Sequence, residues 1–193
     1  MVQHSSIWRV VSHILPYLGN SMASARLPWF LFAAILLIAS ISWWHAYPEL
    51  PERIASHFSG SGVPNGWMTK DQFFTLNAFL VAMAVFTGLF PPFLISKTDP
   101  SLINLPNKEY WLAPRQHAAT VAYFRLWFAW FACGLLFFVA LVLQLVVESN
   151  RSASPRLPNG PFIALLVGFL VFTAGRIVAL HRRFSNAEAD KVN

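Results

Sequence analysis

Four long apolar runs, at about residues 27–47, 72–96, 120–147 and 160–180, constrain this chain more than any other feature. A helix needs about 20 apolar residues to cross a hydrocarbon core about 30 Å thick, and each run is at least that long. Charged residues make up only 11% of the chain, whereas soluble domains hold roughly 25%. The sequence therefore predicts an all-α integral membrane protein with four transmembrane helices.

The Lys and Arg residues predict how these helices are oriented. They concentrate before the first run, between the second and third runs, and after the fourth, at Arg9, Arg26, Lys97, Lys108, Arg115, Arg182, Arg183 and Lys191. Because positive charge is retained on the inner side, both termini are expected to be cytoplasmic and the loop 47–71 extracytoplasmic. The formal charge of +6 forms no basic stripe, so the expected partner is the lipid bilayer and not nucleic acid.

The chain divides into four parts around these helices. Residues 1–26 form an N-terminal arm whose apolar residues recur at helical spacing, at Ile7, Val10, Val11, Ile14, Leu15 and Leu18. This periodicity predicts an amphipathic helix that lies on the inner membrane surface or packs against the bundle. Residues 27–96 form a two-helix domain, residues 97–180 an inner loop with a second helix pair, and residues 181–193 a polar tail.

The loop 47–71 has the features of an ordered element. Residues 54–58 alternate in a strand-like pattern, and residues 67–68 are suited to a returning strand. The turn is predicted at residues 63–66, where Val-Pro-Asn-Gly combines a fixed proline φ with a tolerant Asn-Gly pair. Thr69 and Gln72 have the spacing of a capping box, which predicts a defined start for the second helix. A compact hairpin-like element is therefore expected here.

The same loop carries a resemblance to a known family. The residues that carry it are Leu50, Pro51, Ile54, His57, Phe58, Gly62, Pro64, Asn65, Gly66, Trp67 and Lys70, set between two membrane helices. This pattern resembles a bacterial membrane domain-of-unknown-function family found at the head of SdpI-type toxin-immunity membrane proteins. The resemblance covers the first two spans and their loop, and the segment 104–111 is similar to the polar segment that follows in such proteins. It implies a multi-pass protein of the bacterial cytoplasmic (inner) membrane and no established chemistry.

Eight residues are candidates for binding, in two groups. The loop 47–71 supplies His57, Phe58, Asn65, Trp67 and Lys70, and the inner loop supplies Asn107, Tyr110 and Trp111. His57 is suited to recognition or to a proton-sensitive switch, and the alternative is a histidine that braces the hairpin by local hydrogen bonds. Asn107 is expected to cap a short helix, and the inner group either contacts a partner or anchors the chain at the membrane surface.

Other kinds of site lack support in the sequence. His45, Glu49, Glu52, His57 and Asp71 have no recognised metal-ligand spacing, and no GxSxG elbow or glycine-rich phosphate loop occurs. No metal site, cofactor or catalytic residue is therefore predicted. The polar residues within the spans are Asn77, Arg125, Gln144 and Arg176. The arginines are expected to snorkel towards the inner surface, and Asn77 to cap or bridge helices.

These observations favour a non-enzymatic protein of the sensor or immunity type, which recognises an extracytoplasmic peptide or envelope partner through its outer loop. A small transporter, or an accessory subunit of a membrane complex, is an alternative that needs polar groups facing each other at mid-membrane. A membrane enzyme is the second alternative, and it needs a convergent His, Glu and Asp cluster. The sequence leaves a membrane-protein partner and a homo-oligomer open.

Overall fold

The computed structural model describes residues 5–185 of the 193-residue chain, with side chains described for residues 26–185. The structure is mostly helical (77%) and includes one two-stranded sheet. Its elements, in chain order, are α1 (Ser5–Ala46), β1 (Arg53–Phe58), β2 (Pro64–Thr69), α2 (Lys70–Lys97), α3 (Lys108–Trp111), α4 (Pro114–Asn150) and α5 (Asn159–Ser185). Four of these helices, α1, α2, α4 and α5, are long and apolar enough to cross a membrane. The four predicted spans are thus found, with longer helices than the apolar runs alone indicated.

The helices extend past the predicted spans at several ends. The arm and the first span form one continuous helix, α1, and α5 continues to Ser185 where a polar tail was expected from residue 181. The amphipathic face predicted for the arm lies outside the described side chains, as do tail residues 186–193. Helix α2 continues through Pro91 and Pro92 to Lys97, so the prolines do not end it.

Helix α4 is the central element of the bundle, and α1, α2 and α5 each pack against it. Buried side chains form three clusters along its length. The first surrounds Leu143 and Val147 and includes Ile54 of the hairpin, the second surrounds Leu136, and the third joins Phe124 to Phe184. About 45 Å of helix separates Thr120, near one end of α4, from Asn150 at the other. The two ends of the bundle are therefore distinct surfaces.

The loop 47–71 folds into an antiparallel hairpin of β1 and β2. Ile54 pairs with Met68, Ala55 with Trp67, and His57 with Gly66, so Ser56 has no cross-strand partner and β1 bulges there. The predicted strands are present, but the predicted turn at residues 63–66 is wrong, because residues 64–66 belong to β2. The turn lies at residues 59–62, where the amide of Ser59 donates to the carbonyl of Val63 and Gly62 has a φ of 78°.

The capping box at the start of α2 is confirmed. The amide of Gln72 donates to the Thr69 hydroxyl at 3.2 Å, and the amide of Thr69 donates to the Gln72 side-chain oxygen at 3.0 Å. Two backbone N–H groups are thus satisfied where β2 passes directly into α2. The hairpin and the second span therefore meet at a fixed point.

Candidate functional site

The hairpin is held on the bundle by one buried amide at the end of α4. The Asn150 side-chain oxygen accepts from the amide of Ala55 at 2.7 Å, and its nitrogen donates to the Ala55 carbonyl at 2.9 Å. The same nitrogen donates to the Val146 carbonyl at 2.9 Å. Asn150 is 2% exposed and Ala55 is fully buried. The Asn150 amide therefore occupies the edge of β1 as a neighbouring strand would, and it satisfies both backbone groups there.

The turn of the hairpin is joined to the start of α5. The amide of Leu157 donates to the Gly62 carbonyl at 3.0 Å, and the Asn159 side chain donates to the Gly60 carbonyl at 2.7 Å. A Cβ on Gly62 would collide with the Leu157 carbonyl oxygen, and its φ is in the left-handed region. Glycine is needed at this position both for the turn and for the close approach to α5.

Lys70 lies in a polar cluster at the base of the hairpin. Its ammonium group donates to the Tyr47 carbonyl at 3.1 Å, lies 4.5 Å from the centre of the Tyr47 ring, and is 3.6 Å from a Glu52 carboxylate oxygen. The residue is 7% exposed. Its charge is thus used to join the end of α1 to the start of α2, since a buried ammonium needs such partners.

The remaining loop candidates are on or near the surface of the hairpin. His57, Asn65 and Trp67 are exposed, and Trp67 retains 47% of its accessible surface. Phe58 is half-buried and packs on the core cluster beneath. The His57 side chain packs against Gly66. A Cβ at Gly66 would lie 2.9 Å from the Cβ of His57, so any larger residue there would displace the histidine side chain.

A cavity of about 350 Å³ opens between β1 and the ends of α4 and α5. His57 lines it, together with Ser56 and Asn159. The Ser56 hydroxyl is buried and has no hydrogen-bond partner among the described residues. The cavity thus offers an imidazole at its wall and an uncommitted hydroxyl, which are groups that bind a polar atom of a ligand.

The inner-loop candidates meet at the opposite end of the bundle, around the last turn of α5. The Asn107 side chain donates to the carbonyls of Phe184 and Ser185 at 2.9 and 3.3 Å, and the Trp111 indole donates to the Phe184 carbonyl at 3.2 Å. Tyr110 packs edge-on against Trp111 with ring centres 4.9 Å apart. These contacts fix the inner loop to the last described residues of α5.

The predicted role of Asn107 as a side-chain cap of the short helix is wrong. Asn107 does precede α3, but its φ is 52° and its side chain makes no capping hydrogen bond. The amide group is instead used on the end of α5, 77 residues away in the chain. The Asn107 side chain thus joins the inner loop to α5 and does not accept from the N–H groups of α3.

Sequence reasoning missed Asn150 and Asn159, which position the hairpin. Both are asparagines at helix ends, a placement that many residues share, so no local signal separated them from ordinary terminal residues. Among residues 26–185, no group of three or more His, Cys, Asp and Glu side chains is placed to hold a metal ion.

The four apolar helices define a multi-pass membrane protein. A domain of unknown function, DUF1648, is found at residues 33–90, which include most of the first span, the whole hairpin and most of α2. No curated protein and no solved structure matches the chain. Asn150, whose side-chain amide clamps Ala55 through two hydrogen bonds, lies outside the matched domain. The hairpin of the domain is therefore fixed by a residue that does not belong to the domain.

Proposed function

We propose that this chain is a non-enzymatic membrane protein of the sensor or immunity type, which recognises a peptide or envelope partner through its hairpin. The observation that carries the proposal is the position of Trp67 on a part of the sheet that is fixed to the bundle. This exposed indole lies directly across the sheet from Ala55, the residue that Asn150 clamps. Rigid aromatic anchors dominate binding at protein interfaces, and fixing them before binding lowers the entropy cost of association.

The proposed orientation places the hairpin on the outer side of the bacterial inner membrane, with both termini in the cytoplasm. The Lys/Arg bias supports this orientation. The resemblance to the domain family found at the head of SdpI-type proteins is the reason for proposing the bacterial membrane and the immunity role. In this proposal Trp67, Asn65 and His57 contact the partner. Phe58 and Lys70 hold the hairpin in shape, because their side chains pack or bond within it.

The inner group has a separate role in this proposal. Asn107 and Trp111 use their polar atoms on α5, and Trp111 is 3% exposed. We therefore assign this group, with Tyr110, to holding the end of α5. The transporter alternative requires facing polar groups at mid-membrane, and the buried cluster around Leu136 in the middle of α4, with Phe32, Ala84 and Ala132, is apolar.

Site-specific photocrosslinking in living cells tests the proposal. A benzophenone amino acid replaces Trp67 in one variant and Leu102, which is 77% exposed at the opposite end, in a matched control. We expect a discrete adduct with an envelope protein or peptide from position 67 and none from position 102. His57→Ala should weaken that adduct while membrane insertion stays normal, because insertion depends on the apolar helices.

Two results would contradict the proposal. Position 67 could yield adducts with lipid alone, which would make the hairpin a membrane-facing spacer. Alternatively, Trp67→Ala and His57→Ala cells could survive envelope toxins, and capture partners, as well as the parent does.

A further inference from the structure

A second candidate site lies within the membrane-spanning part, between α1 and α2. A groove of about 520 Å³ is lined by uncharged, mostly apolar side chains of both helices, among them Leu36, Trp43, Asn77 and Val81. This volume is within the range of pockets that hold small organic ligands. Ser40, Trp44 and Ala78 are exposed, and the backbones of α1 and α2 approach each other at few points within the described residues. The groove therefore opens sideways towards lipid.

Two buried polar side chains in this groove have no hydrogen-bond partners in the part of the chain that the structure describes. Asn77 is 1% exposed, and neither its amide oxygen nor its amide nitrogen makes a hydrogen bond among the described residues. The indole nitrogen of Trp43 is likewise buried and without a partner. Each such group costs about 1–3 kcal/mol when left unpaired, and hydrocarbon supplies nothing to bond them. Two donor nitrogens and one acceptor oxygen, contributed by two helices, are thus unpaired beside the groove.

The depth of these groups matches one region of a phospholipid. Asn77 lies seven residues after Lys70, or about 10 Å along the helix axis from the polar cluster at the hairpin base. The polar zone on each side of a bilayer is about 5–8 Å thick, so Asn77 lies where hydrocarbon begins. Ester carbonyls join headgroup and acyl chain at that boundary. None of the lining residues carries a formal charge at neutral pH, which suits a neutral ester and not a phosphate.

We infer that the groove binds a membrane phospholipid, with an ester carbonyl accepting hydrogen bonds from Asn77 and Trp43 and an acyl chain along Leu36 and Val81. The site is separate from the proposed recognition surface of the hairpin, and it does not depend on the proposed function. Bound lipid would satisfy the unpaired donors and fill the space that α1 and α2 leave between them.

Paired lipid probes test this inference on the full-length chain in nanodiscs. One probe is a diester phosphatidylethanolamine with a diazirine on its acyl chain, and the other is the diether analogue, which lacks carbonyls. Labelling of groove residues, mapped by mass spectrometry, is measured relative to labelling around Phe137 of α4 and Phe169 of α5, which do not line the groove. We expect the diester probe to label the groove about tenfold more than the diether probe, an effect of one or two ordinary hydrogen bonds.

Variants distinguish the contribution of the Asn77 amide from the contribution of the open space beside it. Asn77→Leu should lower the diester-to-diether ratio towards one, because only the Trp43 indole then donates to the carbonyl, whereas Thr87→Val, a matched loss of a polar group elsewhere on α2, should leave it unchanged. Ala78→Trp should lower groove labelling by both probes, because it fills the space while keeping the amide. Equal labelling by the two probes in the parent protein would overturn the inference. This comparison does not depend on the folding of any variant. Crosslinks from the groove to a second protein chain would overturn it as well.

Discussion

Removing the Asn150 amide should release the hairpin from the bundle. Asn150→Ala deletes the three hydrogen bonds of the clamp and leaves the amide and carbonyl of Ala55 buried without partners. Each orphaned group costs about 1–3 kcal/mol, so undocking of the hairpin becomes easier by about 2–6 kcal/mol. The four apolar helices are not changed by this substitution, and the effect should stay local to the hairpin.

Hydrogen–deuterium exchange over residues 50–60 measures this change. A gain of about 3 kcal/mol in favour of the open state raises the exchange rate of protected amides by roughly a hundredfold. Ser149→Ala is the matched control, because Ser149 is buried beside Asn150 but bonds within its own helix, to the Leu145 carbonyl. Asn159→Ala removes one hydrogen bond at the turn and should raise exchange by less than about tenfold. An increase below about fivefold for Asn150→Ala would refute the clamp.

Three further predictions concern the cap, the orientation and one titrating group. Thr69→Ala should destabilise the start of α2 by about 1 kcal/mol and speed proteolysis of the hairpin, whereas Thr69→Ser should not; equal proteolysis of both variants would contradict the capping box. In a Cys133→Ser background, Ser61→Cys should react with an impermeant thiol reagent from outside intact cells and Ser101→Cys should not; the reverse pattern would invert the proposed orientation. Hydrogen bonds from Ser101 hold the pKa of Asp99 below its ordinary 3.8. The contribution of these hydrogen bonds to local order should therefore be present above pH 3.8 and lost as the pH falls through the lowered pKa of Asp99. The loss should be visible in the amide proton shift of Ser101 and absent in Asp99→Asn.

The features predicted well from sequence are those that local physics determines. A membrane helix must supply about 20 apolar residues in one stretch, so the four spans follow from composition alone. The capping box at Thr69 and Gln72 involves groups three residues apart, and the strand pattern at residues 54–58 reflects a period of two. Each of these signals is complete within its own segment.

The features that sequence did not predict depend on distant contacts. Residues 59–62 and residues 63–66 both have the composition of a turn. The turn forms at residues 59–62, where the amide of Leu157 donates a hydrogen bond to the Gly62 carbonyl. The Asn107 side chain can cap the short helix α3 or bond to distant groups, and in the structure it donates to a carbonyl of α5. The clamp at Asn150 joins residues 95 positions apart. No pattern of spacing announces such pairs, because each partner looks ordinary in its own neighbourhood.

The distance between Ala55 and its clamp has a consequence for biosynthesis. A ribosome adds about 5–20 residues per second, so the 95 residues between the two partners take about 5–20 s to make. During this interval the residues of the hairpin have been made, but Asn150, which occupies the edge of β1, has not. An open strand edge pairs readily with another extended chain. Slowing translation within α4 is therefore expected to lengthen a period in which newly made copies associate through their hairpins, before Asn150 at the end of α4 occupies that edge.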